Sequence, residues 1–389
     1  MRVSLPAIFS NIQENLQRLA EELHTTNVSI ASGRKYQSIS DNPLDVGEIM
    51  GLTTEVGQVS QWQRNLETGR NWLAATEAAL SRINELVSVT MALANQMATG
   101  TYNAAQRAAA AQQVQGYMEE IMQLGNTRFD GQYILGGYQV DTPPFVRGDW
   151  EIQSPVLDLQ PGSTGQVMVG GAYTGESSRT YLVEIVSSGP TGVATFRVSE
   201  DGGQTWGPEN LTGTGAAIGN DGVVADFSGD WLAGDRLSIS VYQPIVYQGD
   251  EHRLELSVGS QSRLQVSQVG SEAVGGAGGA HDLFQILARL KSALEANDPE
   301  RAGGSLEELR AYQSHLTGIL AGLGAALNRV TIKTEVFETL KVELLAQISR
   351  KGDTDLVDAV NTLKSKETAY QAALLASTRV MNLSLLDYL

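Results

Sequence analysis

A mainly α fold with an inserted β domain is what this sequence predicts. The N- and C-terminal halves form a long antiparallel helical bundle or coiled coil, and a central antiparallel β domain interrupts them. Three observations carry the prediction. Apolar residues recur at steps of four and three toward both ends of the 389-residue chain. Residues 141–280 break that period, with short alternating runs punctuated by Gly, Thr, Ser and Asp. The four-three period then returns after the Gly- and Ala-rich stretch from Gly270 to Ala280.

The first helix spans about residues 4–32, with Leu5, Phe9, Ile12, Leu16, Leu19, Leu23, Thr26 and Ile30 on one stripe. A heptad stripe makes one seam per helix, and that seam needs another helix to cover it. Ser32-Gly33 ends this helix, and residues 34–41 form a linker. A new helix begins with Asn42 as cap, Pro43 at the first helical position and Asp45 in the first turn. Arg34, Asp41 and Asn42 therefore sit between two rigid helices, where they are expected to set how the terminal helix docks.

A long seam follows from Trp62 through Leu66, Gly69, Leu73, Thr76, Leu80, Ile83, Val87, Thr90 and Ala94 to Met97. Gly100 and Thr101 close it. An alanine-rich helix over about 103–125 comes next, with Val114, Met118, Ile121 and Leu124 on its apolar face. Beyond the middle, a short helix near 282–296 precedes a long one over about 305–349, whose stripe includes Leu309, Leu316, Leu323, Val330 and Leu344. The two long seams are each other's expected partners. The last stripe is Leu356, Val360, Leu363, Tyr370, Leu374 and Met381, with Glu367 and Ser377 as polar interruptions.

These elements divide the chain into terminal assembly helices (1–33 and 350–389), a helical bundle core (34–140 and 281–349) and an inserted β domain (141–280). Because the outer stripes run almost to the chain ends, Leu5, Phe9, Ile12, Leu16, Leu19, Leu23, Leu363, Tyr370, Leu374 and Met381 are expected to form an assembly interface.

Within the middle, Gly165–Val169, Tyr181–Val186, Val193–Val198 and Leu237–Tyr242 read as strands, and Gly270–Ala280 as a flexible exit. The run Ser199-Glu200-Asp201-Gly202-Gly203-Gln204-Thr205-Trp206 predicts a tight hairpin turn. Asp201 would accept backbone N–H groups, Gly203 would take a positive φ, and Trp206 would pack beneath. The run resembles the Asp-box of sialidases and other secreted β proteins, which implies a structural turn.

Composition narrows the function. There is no cysteine, which excludes disulfides and thiolate chemistry. The four histidines, His24, His252, His281 and His315, have no metal-ligand spacing, and no phosphate-binding glycine loop occurs. Asp221, Asp226, Asp230 and Asp235 are too widely separated for an EF-hand. No cofactor, metal or catalytic residue is therefore assigned, and the chain does not read as an enzyme. The net charge is −17, and residues 141–280 hold 17 acidic and 6 basic residues. No lysine lies between Lys35 and Lys291, so a nucleic-acid partner is not expected. No apolar run predicts membrane insertion, and the first ten residues do not resemble a secretory signal.

The stretch from Ser29 to Asp45 resembles the early segment of the bacterial flagellin family, and Asn126 to Gly137 resembles the loop that closes that family's first helical half. The last residues, Arg379 to Leu389, resemble the hook-associated type 3 branch. The similarity covers about 1–140 and 285–389. It implies a structural subunit of the extracellular bacterial flagellum that joins the hook-associated region to the filament. It further implies a homo-oligomeric ring with hook-associated protein type 1 and flagellin as neighbours, and a cytoplasmic export chaperone before type III export without a cleaved signal. A flagellin filament subunit and a surface glycan-binding adhesin are the alternatives.

Overall fold

A computed structural model describes the backbone of residues 5–386 and the side chains of residues 10–379. Helices α1 (Leu5–Ser32), α2 (Pro43–Met97) and α3 (Ala104–Gly125) come first. A β-rich stretch follows, and then α4 (Gly270–Ala273), α5 (Leu283–Glu295), α6 (Pro299–Gly352) and α7 (Leu356–Leu386). The cap signal at Asn42 and the seam from Trp62 belong to one 55-residue helix, α2. The chain divides into two compact units, Met1–Arg64 with Lys333–Leu389 and Asn65–Ile332, so both α2 and α6 pass through the division.

In the larger unit the internal seams close on each other. Leu66, Leu73, Leu80, Ile83, Val87 and Ala94 of α2 are buried, as are Leu309, Leu316, Leu323 and Val330 of α6. Gln313 donates to Ser88 Oγ at 2.8 Å between these helices. Polar residues survive in the seam by turning inward on their own helix. Thr76 donates to the Trp72 carbonyl at 3.0 Å and Thr90 to that of Leu86 at 2.8 Å. Helices α3 and α5 pack together and complete the bundle. The buried Arg107 guanidinium donates to the carbonyls of Met97 (3.1 Å) and Thr99 (2.8 Å) and to Asn297 Oδ1 (2.6 Å). It thereby satisfies carbonyls at the end of α2, where no further helical turn can.

The strands are β1 (Arg128–Phe129), β2 (Gln132–Tyr133), β3 (Phe145–Arg147), β4 (Glu151–Ile152), β5 (Val156–Asp158), β6 (Gln166–Gly171) and β7 (Arg179–Ser187). They continue with β8 (Gly189–Pro190), β9 (Thr195–Ser199), β10 (Asn210–Leu211), β11 (Ala216–Ile218), β12 (Val223–Ser228) and β13 (Asp230–Trp231). The last are β14 (Arg236–Tyr242), β15 (Ile245–Tyr247), β16 (Glu255–Ser257) and β17 (Arg263–Gln265). The main sheet runs β10-β9-β7-β14-β4, with β5 also on β14, and a second sheet runs β11-β12-β6. Every pairing among them is antiparallel.

Alternation along the strands sorts their side chains. Tyr181, Val183 and Ile185 of β7 join Phe196 of β9 and Leu237, Ile239 and Val241 of β14 in one core, which the second sheet supplies with Ile218, Val223, Ala225 and Phe227. Trp231 fills its end, and a Cβ on Gly165 would stand 2.5 Å from the indole. The opposite face of β7 and β14 is polar. Thr180, Ser240 and Ser292 of α5 form a buried hydroxyl chain there that ends on the Glu295 carboxylate, itself 2.8 Å from Lys291 Nζ.

Two expectations about the boundaries are corrected. The stretch from Gly270 to Ala280 is a folded turn and not a loose exit. One helical turn of α4 opens it, and the Asp282 carboxylate accepts the N–H groups of Gly276 (2.8 Å) and Gly278 (3.1 Å) while capping α5 at Gln285. Helix α6 begins at Pro299 and not near 305, because Asp298 Oδ1 accepts from the N–H groups of Glu300 and Arg301.

Candidate assembly surface

The smaller unit holds the residues expected to mediate assembly. Helices α1 and α7 pack against each other. On α1 the half-buried side chains include Ile12, Leu16, Leu19, Leu23 and Ile30, with Thr26 buried among them, along the stripe read from the sequence, and Glu22, Val28 and Ser29 are half-buried beside it. Leu5, Phe9 and Met381 lie outside the described side chains, and Asp387–Leu389 outside the described backbone.

On α7 the stripe is rotated. Leu363 and Tyr370 are half-buried toward the pair, together with Ala359, Lys366, Ala373 and Ser377. Leu374 is 41% exposed, and Leu356 and Val360 also lie open, so these three are not in the α1-facing seam. The physical reason is a polar layer. Lys366 Nζ lies 3.3 Å from Thr26 Oγ1 and 3.5 Å from the Glu22 carboxylate. Long apolar stems can cover a seam while their charged end reaches a partner, and a polar pair inside a seam pins register. Lys366 is thus a pairing residue that the apolar pattern alone did not single out. Its signal was Thr26, a polar residue in an otherwise apolar stripe.

The rotation leaves Leu356, Val357, Val360, Leu374 and Leu375 on the outer surface of α7, with Val357 72% and Leu375 65% exposed. On α6 of the same unit, Val336, Val342 and Leu345 are exposed as well. Among the described residues, Val59 and Leu344 are the unit's buried apolar side chains.

The linker residues act mainly through backbone and caps. Lys35 donates its N–H to the Gly352 carbonyl at 2.7 Å, and Thr354 donates to that of Gly33 at 2.9 Å. Arg34 and Asp353 thereby form an antiparallel bridge between the α1–α2 and α6–α7 connections. The Arg34 side chain is exposed, so its backbone does the joining. The Asp41 carboxylate accepts from Gln37 N (2.7 Å), Ser38 N (2.9 Å) and Ser38 Oγ (2.8 Å). Hydrogen bonds from Ser38 and then Gln37 hold its pKa below the usual carboxylate range. Asn42 caps α2 by accepting from Asp45 N at 3.3 Å and donates to the Asp45 carboxylate at 2.7 Å. Lys351 pairs with Glu48 beside them. Around this junction runs an open groove of about 610 Å³, lined by Tyr36, Ile39, Val46, Ile49, Met50 and Ile348.

In the larger unit, Asp201 organises the turn between β9 and β10. Its carboxylate accepts from Ser199 Oγ (2.7 Å), Gln204 N (2.9 Å) and Thr205 N (2.8 Å) and from the Thr205 hydroxyl. Burial raises its pKa, but the hydrogen bonds led by those of Thr205 outweigh this and lower it to about 2. Gly203 adopts φ +90° and donates to Ser199 Oγ at 2.8 Å. The Arg197 guanidinium stacks 4.5 Å from the ring of Trp206.

Asp221, Asp226 and Asp235 are engaged in hydrogen bonds within the β-rich stretch. Asp221 accepts from the Tyr181 hydroxyl, Asp226 from Gly215 N, and Asp235 from Gln160 N and Leu232 N. Among the described residues, no group of three or more acidic or His side chains is placed to hold a metal ion. Likewise, among these residues, no helix is long and apolar enough to cross a membrane.

Residues 3–140 match the bacterial flagellin N-terminal helical region. The chain is 23% identical over 200 residues to flagellar hook-associated protein 3 of Salmonella typhimurium, covering 50% of this chain and 57% of that protein. It is 22% identical over 378 residues to polar flagellin C of Vibrio parahaemolyticus, covering 92% of this chain and 91% of that one. The chain spans less than two thirds of the length of the hook-associated relatives it matches, 57% in Salmonella and 62% in Escherichia coli. Its fold is similar to that of a Vibrio parahaemolyticus protein assigned as flagellar hook-associated (TM-score 0.51, 13% identity, 80% of this chain and 100% of the other). Its likeness to the bacterial flagellin family is carried by residues 3–140, the N-terminal helical region.

Proposed function

We propose that this chain is a non-catalytic structural subunit of the bacterial flagellum, placed where the hook-associated region meets the flagellin filament. One observation carries the reading. The α1–α7 pair buries a single seam, while five apolar residues of α7 remain on its outer surface. A helix pair of that kind in water is marginal, and its outer apolar faces gain stability when neighbours cover them. The working surface is then the outer face of α7 together with α1. The Gly33–Lys35 and Gly352–Thr354 bridge holds the two connections together while neighbours dock.

In this role the partners are copies of the chain arranged as a ring, a hook-associated protein type 1 on one side and flagellin on the other. A cytoplasmic chaperone accompanies the chain before export through the flagellar type III apparatus to the extracellular structure. Hydrogen exchange on the full-length solitary chain tests the proposal. Amides of α1 and α7 are expected to exchange far faster than those of α5 and to slow on assembly. Equally slow exchange in α1, α7 and α5 of the solitary chain overturns it.

A second reading, a filament subunit, is favoured by the likeness to polar flagellin C, which extends over 92% of the chain. Adding purified chain to seeds of itself separates the two. A filament subunit elongates, whereas a junction subunit stops at a ring.

A further inference from the structure

The polar face of the main sheet continues past the cover of α5. There Leu182 and Glu184 of β7, Arg197 of β9, and Arg236 and Ser238 of β14 share one face by strand alternation and register. Three walls surround this floor. They are the turn carrying Gly203 and Trp206, the α5–α6 turn through Arg301, and β5 with the exposed Val156 and Leu157. The result is an open cleft of about 610 Å³. A solvated sheet face needs no walls, and this one is enclosed by three separate segments of chain.

The chemistry of the walls is specific. Arg197 grips one oxygen of Glu184, with Nε at 2.9 Å, and Arg236 grips the other through Nε (3.1 Å) and Nη2 (2.8 Å). Arg301 donates to Ser238 Oγ at 3.0 Å. Each guanidinium carries five N–H groups, so the three arginines hold more donors than these bonds use, while both Glu184 oxygens are engaged. A donor-rich floor beside Trp206 and Val156 faces the exposed carboxylates of Asp158 and Glu300 on the rim, with Asp298 4.0 Å from Arg301 Nε.

We infer that this cleft binds a short oligosaccharide bearing a carboxylated sugar. A pyranose ring alternates an apolar C–H face with a rim of hydroxyls. Trp206 and Val156 suit the former, and Asp158, on the same face of β5 as Val156, suits the latter. The sugar carboxylate takes the unused N–H groups of Arg301 and Arg236, a charge-assisted and planar match. The site lies apart from α1 and α7 in sequence and in role, so it stands or falls independently of flagellar placement.

Saturation-transfer NMR on the full-length chain tests it, with tetragalacturonate, its carboxyl-reduced neutral counterpart and tetraglutamate as probes. Saturable binding of tetragalacturonate is expected, about tenfold tighter than the neutral sugar, with no competition from tetraglutamate. Arg301→Gln should weaken it about tenfold at an unchanged melting temperature. Trp206→Phe, which keeps an aromatic ring, should weaken it less than Trp206→Ala. Absence of saturable binding at millimolar sugar, equal binding of the neutral sugar or of tetraglutamate, or full affinity in Arg301→Gln overturns the inference.

Discussion

Helices of the two units behave in opposite ways. In the larger unit, the stripe of α2 from Leu66 to Met97 is almost continuously buried, and α3, α6 and the hairpin β16–β17 supply partners to the helix. In the smaller unit, comparable stripes on α1 and α7 reach only half-burial, and apolar side chains stay on the outer surface of α7. The periodicity is alike, and the number of covering neighbours differs. An apolar stripe states a demand for burial. The larger unit meets that demand internally, and the smaller one meets about half of it.

Substitutions can break this contrast, beginning with the largest effect. Trp231→Ala empties the core shared by the two sheets and should lower stability of the larger unit by about 3–5 kcal/mol in a thermal melt. Helical exchange rates in α1 and α7 should not change. Leu16→Asp places a charge in the half-closed α1 seam. It should cost about 1–2 kcal/mol of local stability, seen as lost helicity by circular dichroism, with the melt of the larger unit unmoved.

Asn42→Ala removes the α2 cap and should cost about 1 kcal/mol, read as faster hydrogen exchange over the first turns of α2. Acid should release the Asp201 turn by a smaller amount. Its folded pKa lies below the unfolded value of about 3.9, so its contribution is present above about pH 4 and is lost as pH falls toward about 2. The emission of Trp206 reports this, and Asp201→Asn should abolish the transition. Leu374→Asp should change the melt of the solitary chain by less than about 0.5 kcal/mol yet weaken assembly, which sharpens the difference between an inner seam and an outer face.

Much of the architecture was legible. Strands near Tyr181–Val186 and Leu237–Tyr242 follow from alternation, which the shared core of two sheets then uses. Asn42-Pro43 marks the start of α2, and the Asp201 turn forms with Ser199 and Thr205 as its local partners. Asp298-Pro299 carried the same cap-then-proline signal as Asn42-Pro43 and places the start of α6 six residues before Ser305. The assembly surface was less legible. Leu374 and Ala373 are neighbours in sequence, and only the position of α1 decides which of them turns inward.

Gly69 shows the same limit. It sits at a seam position where a leucine would suit a helix partner, but the side chain of Val266 stands 2.8 Å from where its Cβ would be. The cleft on the main sheet has no sequence signature either, because Arg197, Arg236 and Arg301 come from three distant segments.

The sequence by itself determined helix and strand periods, caps and the Asp201 turn, since each depends on residues within a few positions of one another. Tertiary structure decided which face of α7 meets α1, why Gly69 must stay small and where three arginines converge. Those outcomes depend on groups far apart along the chain, whose proximity is set by how the elements pack.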